Sequence, residues 1–186
     1  MPADSPGREQ MRRARRRPLW TSGPQTKALA LGREGIERMI PHRPPMLLLD
    51  VIDLVDLDQR AIRGARRIDA GDPVFAGHFP NRPVYPGIHL LEIMGQLGLC
   101  LYALGVQQRG PAPDEDTEPR MVDARLIRVH DAVFQESVSP GDYLTVYAQQ
   151  VGDDGDDAYT AIYVGQIMRQ QTVCAIVVLE VYLAGN

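Results

Sequence analysis

The two side chains best placed to move protons are His78 and Glu92. His78 lies in Gly77-His78-Phe79-Pro80. Glu92 follows Pro86-Gly87, inside a run from Gly87 to Val106 that is almost wholly apolar and holds no proline. Apolar residues cover most of that run's helical circumference, which predicts a buried helix. Glu92 is its only charged residue. Burial penalises the charged form, so this carboxyl is expected to hold its proton. A protonated carboxyl near an accessible imidazole pairs a general acid with a general base. Pro86-Gly87 opens the helix, so free N–H groups and the positive end of the helix dipole face the same region. That suits a carbonyl oxygen gaining negative charge. A single His or Glu of this kind is more often structural, because structural networks also shift pKa values. Gly77, Pro80, Pro83, Pro86 and Gly87 alter that balance by fixing an unusual backbone path beside both groups.

These groups need a frame. Residues 1–30 are rich in Pro, Gly and Arg and are expected to form a disordered basic tail, with residues 31–186 as a single domain. A short helix is predicted over Arg33–Ile40, ending at Pro41. Strands are predicted from Met46 to Leu57 and, half-exposed, from Arg60 to Ile68. After the long helix, Gln107 to Pro119 forms a polar loop. The remaining strands are Met121–Phe134, Tyr143–Val151, Tyr159–Met168 and Thr172–Leu183, with a tight turn at Asp153-Asp154-Gly155-Asp156. The last strand is apolar on both faces, which predicts an interior place in the sheet. One long helix with about six strands gives an α+β protein, a helix wrapped by an antiparallel sheet.

The 186 residues include two cysteines, Cys100 and Cys174, both in apolar segments and in no metal-binding spacing. They are expected to be small core residues in a protein of the reducing cytoplasm. Glu92 and Gln96 in the long helix argue for a core element and against a membrane span. Residues 1–38 hold nine Lys/Arg and four Asp/Glu, whereas residues 39–186 hold eleven and twenty. The two parts therefore carry +5 and −9. The run Arg12-Arg13-Ala14-Arg15-Arg16-Arg17 is expected to be a solvated tail, since no nucleic-acid-binding module accompanies it. The acidic clusters at Asp114–Glu118 and Asp153–Asp157 lack calcium-loop spacing, and no metal or cofactor is expected.

Three segments carry a family resemblance. The run from Gly77 to Gln96 resembles the active-site segment of the 3-hydroxyacyl-acyl-carrier-protein dehydratases of fatty acid synthesis. Ile40-Pro41-His42-Arg43-Pro44-Pro45-Met46-Leu47-Leu48-Leu49-Asp50 is similar to that family's approach to its first strand. Val138-Ser139-Pro140-Gly141-Asp142-Tyr143-Leu144 resembles its Pro-Gly-Asp turn. The likeness spans about Gly35 to Leu183. A glutamate at position 92 points to this branch rather than to the isomerase relatives, which carry aspartate.

The resemblance implies a hot-dog fold and a homodimer, with a trimer of dimers as a further possible assembly. Each site would take its histidine from one subunit and its glutamate from the other. It implies removal of water from a (3R)-3-hydroxyacyl thioester to give a trans-2-enoyl thioester. His78 would be the base, Glu92 the acid and the Gly87 amide the donor to the thioester oxygen, with the Gly87 Cα facing the acyl chain. In a variant, His78 handles both protons and Glu92 only orients hydroxyl or water. Phe79, Pro80, Pro86, Ile88, Leu91 and Gln96 would contact substrate, although Ile88 and Leu91 also suit plain core. His42 is expected to be structural, His89 to line the pocket or face a neighbour, and His130 to lie at a surface or interface.

The implied partner is an acidic acyl carrier protein, with neither nucleic acid nor membrane. Where the family usually has Lys and Arg before the Pro-Gly-Asp turn, this chain has Asp131, Val133, Gln135 and Glu136. Arg82, Arg120, Arg125 and Arg128 remain as candidate carrier contacts. Fatty acid and polyketide synthesis both fit. Two other classes also remain: a thioesterase of the same fold, and a non-catalytic acyl-carrier-binding subunit.

Overall fold

The structure, a computed structural model, describes residues 7–109, 122–153 and 159–183. The chain runs α1 (Arg8–Ala14), β1 (Lys27–Gly32), α2 (Arg33–Glu37), β2 (Val51–Asp56), β3 (Ala61–Arg67), a 3-10 turn (Pro73–Ala76), α3 (Gly87–Arg109), β4 (Ala124–Phe134), β5 (Tyr143–Asp153), β6 (Thr160–Arg169) and β7 (Thr172–Leu183). All strand pairs are antiparallel, in the order β1-β2-β3-β5-β6-β7-β4. The polar loop after α3 and the turn after Asp153 fall outside the described residues.

Helix α3 lies on the inner face of the sheet. It is long and apolar enough to cross a membrane, but most of it is buried inside the protein. Leu90, Ile93, Met94, Leu97 and Cys100 join Ile52, Ile62, Leu144, Val146, Ile167 and Val177 in one core. Glycine on β6 permits this close approach: a Cβ at Gly165 would lie 2.6 Å from the Met94 Cβ. This is the hot-dog arrangement. The expected strands are present, with β1 added at one edge. Strand β7 is interior, between β6 and β4, and nearly all its residues are buried.

The outer face corrects the expectation of a disordered tail. From Gly7 onward the N-terminal arm is folded against the sheet. Met11, Ala14, Leu19 and Trp20 are buried over Ala61, Ile162, Val164, Ile176 and Val178. Gln166, fully buried on β6, pins the turn between them. Its amide nitrogen donates to the carbonyls of Ala14 (2.6 Å) and Arg17 (2.8 Å), and its oxygen accepts from Leu19 N–H at 2.8 Å. Trp20 Nε1 donates to the Ile62 carbonyl at 3.2 Å. Strand β3, expected to be half-exposed, is mostly buried, with Ala61 under the arm and Ile62 in the inner core. Without the arm, the valines and isoleucines of β6 and β7 would form a contiguous apolar patch in water.

Candidate active site

Three backbone devices build the loop that carries His78. Asp72 caps the 3-10 turn by accepting from Val74 N–H at 2.9 Å. His78 N–H donates to the Val74 carbonyl at 3.0 Å, and Val84 N–H to the His78 carbonyl at 3.0 Å. Tyr85 N–H then reaches across to the Val138 carbonyl at 2.7 Å. That carbonyl opens the Pro-Gly-Asp turn, where Gly141 takes φ 84°. Asp142 holds the turn closed by accepting from Ser139 N–H (2.8 Å) and Arg169 (2.7 Å). The turn thus anchors the histidine loop.

His78 is half-buried and stacks on Phe79 at 4.2 Å, across a cis peptide bond. Its Nδ1 lies 2.8 Å from the Val84 carbonyl. A carbonyl only accepts, so Nδ1 carries the proton there and Nε2 of the neutral ring keeps its lone pair. Nε2 is therefore the basic atom presented by this loop.

Glu92 sits one and a half turns into α3, beside a residue expected to be structural. His42 Nε2 lies 3.2 Å from Glu92 Oε1. Gln96 Nε2 donates to the same oxygen at 2.8 Å and to the Met46 carbonyl at 2.6 Å, while its own oxygen accepts from Leu48 N–H at 2.9 Å. Gln96 thereby clamps the 40–50 segment onto the helix and brings His42 to Glu92. It is 1% exposed and its amide is engaged by Glu92, Met46 and Leu48, while it also lines the cleft beside Glu92. The sequence held a signal for His42: it stands among prolines, as His78 does.

These contacts overturn the expectation of a protonated Glu92. The hydrogen bond from His42 leads, and burial, which acts the other way, is outweighed once Gln96 and the nearby imidazoles are added. The carboxyl is held below its ordinary range and is ionised near neutrality. Both donors use Oε1, which leaves Oε2 for a ligand. A cleft of about 100 Å³ opens beside it, lined by His42, Leu91, Glu92, Leu99 and Leu126 among others.

At the helix start, Pro86 is buried and its carbonyl accepts from His89 N–H at 3.0 Å. The Gly87 N–H has no acceptor among the described residues and stands at the positive end of a 23-residue helix. The Gly87 Cα faces a protein side chain: a Cβ there would lie 3.0 Å from the Phe134 ring. Phe79, Pro80 and Ile88 are exposed around this point. His89 meets Tyr85 edge-on at 5.3 Å. His130 pairs with Glu180 at 2.7 Å across β4 and β7, half-buried.

Within one chain His78 and Glu92 do not meet. Among the described residues, the partners of Glu92 are His42 and Gln96, and those of His78 are the Val84 carbonyl and Phe79. No group of three or more His, Cys, Asp or Glu that could hold a metal occurs among the described residues. Arg120 and the Asp114–Glu118 cluster fall outside them.

Comparison with known proteins identifies the family of this chain. The model of the FabA-like domain family matches residues 40–176, a span that includes His42, His78, Gly87 and Glu92. The protein named 3-hydroxyacyl-[acyl-carrier-protein] dehydratase FabZ of Chlamydia trachomatis serovar L2 is 32% identical over 137 residues, covering 73% of this chain and 84% of the relative. The FabZ of Anaeromyxobacter sp. (strain Fw109-5) is 34% identical over 134 residues, covering 72% and 80%. Among solved structures, the dehydratase heterocomplex ApeI:P from Xenorhabdus doucetiae superposes with a TM-score of 0.62 at 18% identity, covering 81% of this chain and 91% of that one. An uncharacterized protein from Pyrococcus horikoshii gives 0.54 at 12% identity, covering 77% and 88%. The structural likenesses show the shared fold. The family match and the sequence identities establish more: this chain belongs to the FabA-like domain family and is a relative of its FabZ dehydratases.

Proposed function

We propose that this protein removes water from (3R)-3-hydroxyacyl thioesters borne on an acyl carrier protein, giving trans-2-enoyl thioesters for fatty acid or polyketide synthesis in the cytoplasm. One observation supports the proposal: an imidazole with a free Nε2 stands on the loop before α3, and a carboxylate with a free oxygen lies inside α3, whose first N–H groups are unpaired among the described residues. His78 Nε2 takes the proton alpha to the carbonyl. The Gly87 N–H stabilises the charge that grows on the thioester oxygen. The carbon–oxygen bond at C3 then breaks as the double bond forms, and the hydroxyl leaves as water. Because Glu92 is ionised, its Oε2 accepts from the 3-hydroxyl and orients it, and the proton taken by His78 returns to the departing oxygen. His42 and Gln96 hold the carboxylate in that state.

The site is completed by a second copy. His78 and Glu92 do not meet within one chain, and exposed apolar residues, Phe79, Ile88, Leu126, Ile127, Val129 and Phe134, lie on the His78 loop, the α3 start and edge strand β4. A homodimer covering this surface would bring the loop of one protomer to the helix of its partner.

The test is a short 3-hydroxyacyl thioester of N-acetylcysteamine. Enoyl absorbance without free thiol is expected. Thiol release would make the protein a thioesterase. Neither product, with carrier binding retained, would make it a non-catalytic subunit.

A further inference from the structure

The −9 charge on residues 39–186 opposes docking of an acidic carrier, and the strand positions where the family is usually basic are not basic here. The positive charge sits on the arm. Arg12, Arg13, Arg15, Arg16 and Arg17 are all exposed and line a recess of about 670 Å³. The recess is built on fixed backbone, because buried Gln166 binds the carbonyls on either side of Arg15 and Arg16. The arm also touches the chain at the end of β4: Gln135 Nε2 donates to the Arg15 carbonyl at 3.4 Å. The preceding residue, Phe134, is the ring that covers Gly87 at the start of α3.

Resting on the dehydration reading above, we propose that this arginine recess on the N-terminal arm docks the acidic acyl carrier protein. Guanidinium groups pair with carboxylate and phosphate in a fixed planar geometry, so two of them at the end of α1 and three on the pinned turn suit an acidic protein surface. A carrier held there lies beside the end of β4, whose Phe134 ring meets Gly87 at the start of α3. The arm supplies a positive field that the body of the protein lacks.

The experiment replaces Arg15, Arg16 and Arg17 together by Gln. Their side chains are exposed, so the melting temperature stays that of the wild type. KM for a 3-hydroxyacyl carrier protein rises about tenfold or more, while KM for the same acyl group on N-acetylcysteamine is unchanged. In about 0.5 M salt the difference between variant and wild type shrinks. The corresponding Lys triple variant, which keeps the charge, retains most of the carrier affinity. An unchanged carrier KM, or an equal rise on both substrates, overturns the proposal. So does wild-type binding of duplex DNA or phosphatidylglycerol vesicles, in about 0.15 M salt, that the carrier cannot compete away. If the wild type dehydrates neither substrate, the dehydration reading fails, and calorimetric binding of the carrier to wild type and Gln variant still decides the role of the recess.

Discussion

The sheet buries both faces, but by different means. On the inner face one continuous helix of 23 residues supplies the cover. On the outer face the cover is a seven-residue helix and a turn, where four apolar side chains are scattered among arginines. The inner cover meets the sheet through apolar contact, and Gln96 ties it to the segment before β2. The outer cover depends on a buried polar residue, Gln166, which binds backbone that a short arm cannot satisfy internally. The proposed reaction uses the start of the inner helix, where free N–H groups and Glu92 lie. The outer face carries none of the proposed reacting groups, and the arginines of its arm are exposed. Changes to the inner face should therefore alter reaction, and changes to the outer face should alter stability and docking.

The sharpest division comes from His78→Ala. Dehydration of a small thioester should fall by about 10²–10⁴-fold, with no change in melting temperature. Near-wild-type turnover would remove the proposed base. Glu92→Gln should fall comparably, and mixing the two inactive variants under subunit exchange should restore part of the activity. No recovery despite proven exchange would count against a site shared between copies.

On the outer face, Trp20→Ala should cost about 3 kcal/mol of stability, seen as a lower denaturation midpoint. Turnover per folded molecule on a small thioester should be unchanged. An unaltered midpoint would mean that the arm is not part of the folded unit. Gly165→Ala tests the inner packing without touching a reacting group. Its new Cβ would force Met94 and α3 outward, costing about 1–3 kcal/mol. A variant as stable as wild type would show that the helix–sheet contact yields more easily than its 2.6 Å spacing implies.

The smallest effect concerns the pair at the carboxylate. In His42→Ala the leading hydrogen bond on Glu92 is lost, burial gains weight, and the carboxyl pKa should rise. The sign follows from linkage. A depressed folded-state pKa adds stability above the unfolded value, and that contribution is lost as pH falls through the folded pKa. The wild type should keep it further into acid than the variant does. Carbon-13 titration of the Glu92 carboxyl reads this directly, and an unshifted titration would leave His42 without the role assigned to it.

The Gly/Pro punctuation around His78, the lone Glu92 in an apolar run and the Pro-Gly-Asp turn are legible in the sequence as local signals, because backbone conformation there follows from residue type. So are the strands from Val51 onward, whose apolar patterns are dense enough to mark them. Other features are not legible there, because they depend on residues far apart in the chain. Met11, Ala14, Leu19 and Trp20 look like a polar tail until Gln166, some 150 residues away, partners the backbone of Ala14 and Leu19. The charge state of Glu92 departs from expectation for the same reason: its neighbours in sequence are apolar, but its neighbour in space is His42, carried there by the Gln96 clamp. The sequence by itself determined which groups can react and which elements hold them. The tertiary structure alone decided which of those groups touch, because electrostatic environment depends on distance in space and not on separation along the chain.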